Sequence, residues 1–328
     1  MGTVLFSCAF TPSSDTPEHI ALAEHLGYHR AWCYDSPALY CDVWMTLARA
    51  AERTSSIGLG PGVLVPNLRH PMTNAAALAT LVGLAPGRVV AAVGSGFTAT
   101  GALGQPPVPW AEVLTYARAL RGLVEGEEVS WDGRAMRMLH PDGFVPRRPL
   151  RVPFVLAASG PKGIAAATAF GGGVFLGPRP VATAGFDPTV ALLTGTVLNP
   201  AEDVGGERVV RAAGHSVAVL LHALYARYET MPDALSRVPG GLAWKDTIDA
   251  LPVGNRHLAL HDLHHVGVNE RDRPFMTPEL LSRAAFSGER LRERLAGFAQ
   301  LGVTEVAYQP AGPDIPRELT SFLAAAQG

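Results

Sequence analysis

The sequence predicts a (β/α)8 TIM barrel with insertions, written as one domain over residues 1–328, and three observations carry that expectation. Short apolar runs alternate with amphipathic helical segments through the first half of the chain. The runs are apolar on both faces, as strands in a helix-covered parallel sheet are. Eight such runs can be counted along the chain, with at least as many helices. A doubly wound open sheet is the competing architecture. It is disfavoured because no G-x-G-x-x-G follows the first strand, where a dinucleotide site would need it.

The elements follow in order. "VLFSCAF" (4–10) precedes "PEHIALAEHLGY", a helix with Pro17 near its start, and "RAWCYDS" (30–36) precedes "DVWMTLARAAERT". "IGLGPGVLV" (57–65) leads into "HPMTNAAALATLVGLA", and "RVVAAVGSG" (88–96) leads towards "WAEVLTYARALRGLVEG". An insert near 127–150 holds "EVSWDGRAMRML", which reads as a β-hairpin around Asp132-Gly133. "FVLAAS" (154–159) runs into "GPKGIAAATAF", and "GGVFLG" follows at once. "LLTGTVLNP" (192–200) reads as a seventh strand, and "TEVAYQP" (304–310) as the eighth, before a closing helix "RELTSFLAAA". Residues 178–286 depart from this rhythm and read as a helical insertion region, with one long helix from Val209 to about Tyr228. The third strand poses a question. Glycine and proline weaken strand interiors, yet it contains Gly58, Gly60, Pro61 and Gly62.

Composition excludes several functions. Only 17% of residues are charged, the formal net charge is -2, and lysine occurs only at Lys162 and Lys245. There is no basic stripe for nucleic acid. No run of about 18 apolar residues suggests a membrane span. "MGTVLFSCAFTPSSD" lacks the basic start and long apolar core of a secretory signal. Cys8, Cys33 and Cys41 are too few and too irregular for a disulfide framework or a zinc knuckle. A cytoplasmic protein with free thiols is expected.

Taken together and in order, "LGYHRAWCYDS", "GLGPGVLVPNLRHP", "LAPGRVVAAVGSGF", "FVLAASGPKGIAAA" and "FSGERLRERLAGFAQLGVTEVAYQP" resemble the luciferase-like monooxygenase superfamily. The resemblance is closest to the branch that uses the deazaflavin coenzyme F420, including methylenetetrahydromethanopterin reductase. It is strong over 17–177 and 287–310 and weak over 178–286. It implies an oxidoreductase that transfers a hydride between C5 of F420 and a small organic substrate. An FMN-dependent monooxygenase is the alternative, and a barrel repurposed without a cofactor is a third reading.

The resemblance also assigns residues. It implies a non-prolyl cis peptide at Gly62-Val63 that backs the coenzyme ring, where the residues alone would equally allow a plain β-bulge. "AASGPKG" (157–163) is read as a phosphate site or an ordinary helix cap. In the phosphate reading Ala158, Ser159, Gly160 and Lys162 take part, helped by Gly172 and Gly173 at the start of the sixth strand. Where the family usually has Ala-Asp-Gly, this chain has "GGG" (171–173), so a carboxylate is missing. Ser95 and Gly96 of "VGSGF" are assigned to the cofactor. Phe97 stands where some relatives place a glutamate proton donor, and becomes an aromatic wall for the substrate. Asp35 ends the second strand as a candidate catalytic carboxylate, or a turn residue. Cys8 is read as facing substrate. Arg69 and His70 lie in the loop after the third strand, at the pocket mouth: Arg69 is read as a partner for an anionic substrate or cofactor tail, and His70 as an acid/base or merely the residue before the helix. In "NRHLALHDLHHVG" (255–267) a continuous helix would align His257, His261 and His264. No metalloprotease signature accompanies them, so His261 is read as facing substrate and no metal is assigned. A homodimer is expected through helices 42–54 and 71–85, which carry Val43, Trp44, Leu47, Met72, Leu78 and Leu81.

Overall fold

The structure, a computed structural model, describes residues 4–183 and 185–328; the first three residues of the N-terminal stretch lie outside them. They form two compact units. The first comprises Met1–Thr100, Pro106–Leu193 and Gly297–Tyr308, the second Gly101–Gln105, Thr194–Ala296 and Gln309–Gly328. Among the described residues no helix is long and apolar enough to cross a membrane.

The first unit is an eight-stranded parallel barrel with interleaved helices. Its strands are β1 (Leu5–Phe10), β2 (Arg30–Cys33), β3 (Gly58–Pro61), β4 (Ala91–Gly94), β5 (Phe154–Ala157), β6 (Gly173–Leu176), β7 (Thr189–Thr194) and β8 (Glu305–Gln309). They neighbour one another in the order β3-β2-β1-β8-β7-β6-β5-β4. Bridges Leu59↔Val89 and Leu64↔Val93 join β3 to β4 and bring the two ends of the sheet together. Val90 N donates to Leu59 O (3.1 Å) and Gly94 N to Leu64 O (3.0 Å) across that seam. The lumen is filled by Ala9, Trp32, Val90, Ala92, Val155, Phe175, Val190 and Ala307, at least one from each strand except β3.

That exception answers the question of the glycines. On a strand, alternate residues share a face, and Gly58, Gly60 and Gly62 share the one turned to the lumen. A Cβ at Gly58 would lie 3.1 Å from the Arg30 side chain, and one at Gly62 3.1 Å from Trp32 Cβ. At Gly60 it would lie 2.2 Å from the Val90 carbonyl oxygen. The third strand leaves out side chains because three different neighbours occupy the space: the Arg30 side chain at Gly58, the Val90 carbonyl at Gly60 and the Trp32 side chain at Gly62.

Between the strands, helix Thr16–Leu26 ends at Gly27 in the left-handed conformation, φ 92°. Asp42 caps Val43–Ala51 by accepting from Trp44 N and Met45 N. After helix Trp110–Glu125, strands Val129–Trp131 and Arg134–Met136 pair antiparallel. Asp132 (φ 49°) and Gly133 (φ 74°) turn the ribbon.

The run expected as a seventh strand over 192–200 is divided. The barrel strand stops at Thr194, and Thr196–Val197 pairs with Ala285–Phe286 in the second unit. Gly195 makes the break: its φ is 127°, and a Cβ there would meet the Ala284 carbonyl oxygen at 2.1 Å. Helix Glu207–Tyr225 forms the spine of the second unit. Its Val210, Val217 and Leu221 pack into a core with Trp244, Ile248 and Leu281. Buried Glu318 accepts from Thr196 Oγ1 (2.7 Å), Arg317 Nη1 (2.8 Å) and Arg208 Nη1 (3.0 Å), so its charge is matched where it is desolvated. The helix expected across 255–267 ends at His261, because Leu263 (φ 56°) and His265 (φ 63°) take left-handed backbone.

The glycine face of β3 yields a stability prediction. Gly60→Ala forces a methyl group into the Val90 carbonyl, just before β4, and should cost about 1–3 kcal/mol. Gly297→Ala, in helix Gly288–Gln300 with nothing within 4 Å of the new carbon, should stabilise by about 0.5–1 kcal/mol. Urea denaturation of the two variants against the parent chain checks both signs.

Candidate active site

Parallel strands bring all their C-terminal ends to one face of a barrel, and the functional side chains of such barrels sit there. At the exit of β2, Asp35 is 4% exposed and receives a hydrogen bond from Arg69 Nη1. Arg69 Nη2 also donates to Asp42 Oδ2 at 2.7 Å. Burial raises the affinity of Asp35 for a proton, and Arg69 opposes that without cancelling it. Burial alone would lower the Arg69 pKa, but the two carboxylates outweigh it and hold the guanidinium charged.

The backbone of Arg69 is fixed as well. Tyr116 Oη donates to Arg69 O (3.1 Å), Asn74 Nδ2 donates to Tyr116 Oη (2.6 Å), and Trp44 Nε1 donates to Asn74 Oδ1 (2.9 Å). Arg69, expected to meet an anionic substrate or cofactor tail, is bound to two carboxylates of its own chain. His70 caps helix Pro71–Leu84, its Nδ1 accepting from Met72 N at 3.2 Å, and its ring meets Trp131 edge-on. Of the two roles expected for His70, acid/base work or simply the helix that follows, the structure shows the second as a cap. Cys8 is corrected too. Ala9 faces the lumen, so Cys8 faces outward under the helices, with Sγ directed at Arg30 O (3.5 Å).

At the exit of β5, Ser159 is extended (φ −140°, ψ 137°) and helix Gly160–Phe170 begins with Pro161 in its first turn. The Ser159 side chain makes no capping bond, and Ser159, Gly160, Pro161 and Lys162 are all exposed. Ala158 is buried, its N–H donating to Phe175 O at 3.0 Å. Gly172 and Gly173 do not join them. They lie at the start of β6, where a Cβ would meet Phe154 O or Pro188, at the opposite end of the strands. The glycine beside Ser159 is Gly177, at the β6 exit, where a Cβ would stand 3.5 Å from Ser159 Oγ. It is the last letter of "GGVFLG", and the direction of a parallel strand was the signal that could have found it.

Around the same end, Tyr34, Val63, Ala157 and Leu192 are partly buried against the lumen core. The peptide bond Gly62-Val63 is cis. Gly94 carries no side chain between Val63 and Ala157, which a Cβ would meet at 3.0 and 3.2 Å. Ser95 is half-buried and its carbonyl accepts from Val108 N (2.9 Å). Gly96 has φ 74° against Val65, and Phe97 is 37% exposed. Partly buried apolar side chains at these strand ends, and an exposed, uncapped helix start beside side-chain-free Gly177, are compatible with a planar ring and an anionic tail.

In the second unit, His261 Nδ1 donates to His257 O (2.6 Å), which leaves Nε2 as its basic nitrogen beside Gly101. Behind it lie His264, His265, His222 and His215. Among the described residues no group of three or more His, Cys, Asp or Glu is placed to hold a metal.

Residues 8–193 match the profile described as Luciferase-like monooxygenase. The chain belongs to that family. Among relatives of this luciferase-like chain, the 5,10-methylenetetrahydromethanopterin reductase of Methanolobus tindarius is 31% identical over 165 residues, 48% of this chain and 49% of that protein. The F420-dependent hydroxymycolic acid dehydrogenase of Mycobacterium tuberculosis is 32% identical over 172 residues, 47% of this chain and 46% of that protein. The chain thus spans about half the length of the curated relatives it matches. The structure of the coenzyme F420-dependent tetrahydromethanopterin reductase from Methanopyrus kandleri superimposes with a TM-score of 0.65 at 18% identity, over 99% of this chain and 98% of that one. At that identity the likeness shows the shared luciferase-like barrel.

Two predictions follow from the charges. Arg69→Ala strands the buried Asp35 carboxylate and should cost about 3–5 kcal/mol by chemical denaturation at neutral pH. The histidines give a pH dependence. Burial, with His265 beside it, lowers His215 to about 3, and burial with His222 lowers His265 to about 4. Each binds a proton in the unfolded chain before the folded one, so their stabilisation is whole above pH 6.5 and is lost as the pH falls. Each loses about 1.4 kcal/mol per pH unit, the His265 share ending near 4 and the His215 share near 3. Denaturation midpoints measured from neutral to mildly acid pH, with His215→Leu as the control lacking one share, check this.

Proposed function

We propose that this chain is an F420-dependent oxidoreductase that moves a hydride between the coenzyme and a small apolar organic substrate. The observation that carries it is the pairing of the exposed helix start Ser159–Gly160 with side-chain-free Gly177, on the same strand ends as the apolar rim Tyr34, Val63, Ala157 and Leu192. The coenzyme names borne by the curated relatives support F420 over FMN.

When bound, F420 supplies the hydride donor or acceptor. The protein supplies the rest. The amides following Ser159 and its hydroxyl hold the phosphate with oriented dipoles, so Lys162, exposed to water, contributes little. Val63 and Tyr34 pack the ring and exclude water. Asp35, kept in place by Arg69 and made more basic by burial, holds or releases the proton that accompanies a hydride transferred to a polar double bond. Phe97 covers the apolar part of the substrate.

Fluorescence titration with F420 and with FMN tests the reading. Saturable binding of F420 alone is the expected result; binding of FMN alone would favour the monooxygenase, and binding of neither would remove the coenzyme. Gly177→Leu should weaken F420 binding at least tenfold without changing the melting temperature. Lys162→Ala should weaken it by no more than about fivefold, near 1 kcal/mol. Asp35→Asn should keep F420 affinity and lower kcat by about 10²–10⁴-fold.

A further inference from the structure

The side chains that hold Arg69 form a line of hydrogen bonds, all within the first unit, whose direction follows from their chemistry. Three helices contribute one residue each: Trp44 from Val43–Ala51, Asn74 from Pro71–Leu84 and Tyr116 from Trp110–Glu125. Asn74 and Tyr116 are fully buried, so their polar atoms need partners. An indole N–H can only donate. Trp44 Nε1 therefore meets the oxygen of the Asn74 amide, at 2.9 Å, and turns the amide nitrogen to Tyr116 Oη, at 2.6 Å. That nitrogen is a donor too. The phenol accepts from it and points its own hydrogen at the Arg69 carbonyl, 3.1 Å away. One donor-only group on a half-buried side chain thus orders three bonds in succession.

The line ends on the backbone of a residue whose side chain reaches Asp35. Arg69 lies between β3 and helix Pro71–Leu84, outside any strand or helix. Its guanidinium is divided between Asp35 and Asp42, and Asp42 Oδ1 caps the helix that carries Trp44. The bonds therefore close into a ring that runs from Asp42 through its helix to Trp44, Asn74, Tyr116, Arg69 and back to Asp42. Asp35 is attached to that ring through Arg69. Trp131, from the hairpin insert, packs edge-on against the Tyr116 ring with centroids 6.0 Å apart and keeps the phenol in line.

We infer that Tyr116 is a positioning residue for Asp35: it fixes the Arg69 backbone and so keeps the Arg69 guanidinium on the carboxylate. Burial first, and Asp42 from the next helix start, favour the neutral form of Asp35, whereas Arg69 from the loop favours the charged one. Tyr116 itself stays a neutral phenol, because burial pushes it up to about 12 against the bond from Asn74. Its action on Asp35 therefore runs through the placement of Arg69 and not through a charge of its own. Loosening Arg69 leaves burial and Asp42 less opposed, and Asp35 then holds its proton more tightly. The use of this device, though not its existence, rests on the reading of Asp35 as the proton carrier in hydride transfer.

The test is made on the full chain without coenzyme, with 13C at the aspartate carboxyls. NMR follows the Asp35 signal, identified by its loss in Asp35→Asn, from about pH 8 to about pH 3.5, a range that includes the ordinary aspartate value. Tyr116→Phe, which deletes only the hydroxyl, should raise the Asp35 midpoint by at least about 0.5 pH unit, about a threefold tighter hold on the proton. Trp44→Phe should raise it as well, because Asn74 can then turn its oxygen to Tyr116 and draw the phenol hydrogen away from Arg69. With Arg69→Gln already in place, Tyr116→Phe should no longer move the midpoint, as residues acting in one line are not additive. A merely structural Tyr116 would lower the melting temperature and leave Asp35 where it was. An unshifted Asp35 in folded Tyr116→Phe overturns the assignment, as does a shift that persists without Arg69. If Arg69→Gln does not fold, the two single variants decide. Absence of F420 binding would count against the coenzyme reading alone, since the titration does not use it.

Discussion

The barrel depends on how its lumen accommodates one indole. Trp32 projects inward from β2, fully buried, and its Nε1 donates to Glu305 Oε1 at 2.9 Å. Glu305 also pairs with Arg30, whose guanidinium lies over the same indole. A carboxylate buried in a barrel needs such partners, because an unmatched charge there costs several kcal/mol. The indole needs room, and β3 provides it at Gly62, while Gly58 makes way for the Arg30 side chain and Gly60 for the Val90 carbonyl. Interiors are packed to crystal-like density, so a large residue on one strand requires small ones beside it. The glycine strand and the tryptophan strand are one solution to one volume.

The same economy governs charge at the strand ends. Lysine is almost absent, and Arg69 is bound by Asp35 and Asp42. Under the proposed function, an anion at this face would be met by backbone dipoles. The uncapped amides after Ser159 are suited to that, since a helix start carries partial positive charge without a flexible side chain to order. In the second unit polar groups are instead collected inward, as the Glu318 cluster and the histidine array, each organised around one carboxylate.

The barrel was legible because its unit repeats and its strands are apolar throughout. Asp35 and Ser159 were legible as strand-end residues. Cys8 was misplaced because "VLFSCAF" is apolar on both faces and does not announce which set turns inward. Residue size does, since Ser7 and Ala9 suit a lumen already occupied by Trp32. Gly172 and Gly173 were assigned by nearness in sequence to Ser159, although a parallel strand carries its start to the far end of the sheet. The stop at His261 was not legible at all. Leu263 and His265 adopt left-handed backbone, uncommon for any residue but glycine and not announced by "DLHHVG".

The order of strands around the barrel bears on how the protein is made. β1 lies between β2 and β8, in register from Leu5↔Glu305 to Cys8↔Tyr308. While the ribosome is still producing the residues between 194 and 305, β1 and β7 have no neighbour on one side. At about 5–20 residues per second, that interval lasts roughly ten seconds. Throughout it, the nascent chain displays two unpaired parallel edges, the kind of surface on which neighbouring chains add strands. The second unit waits as well, because it is completed by Gln309–Gly328. Both units are thus finished by the same late stretch of chain, and until it has been made the edges of β1 and β7 stay open.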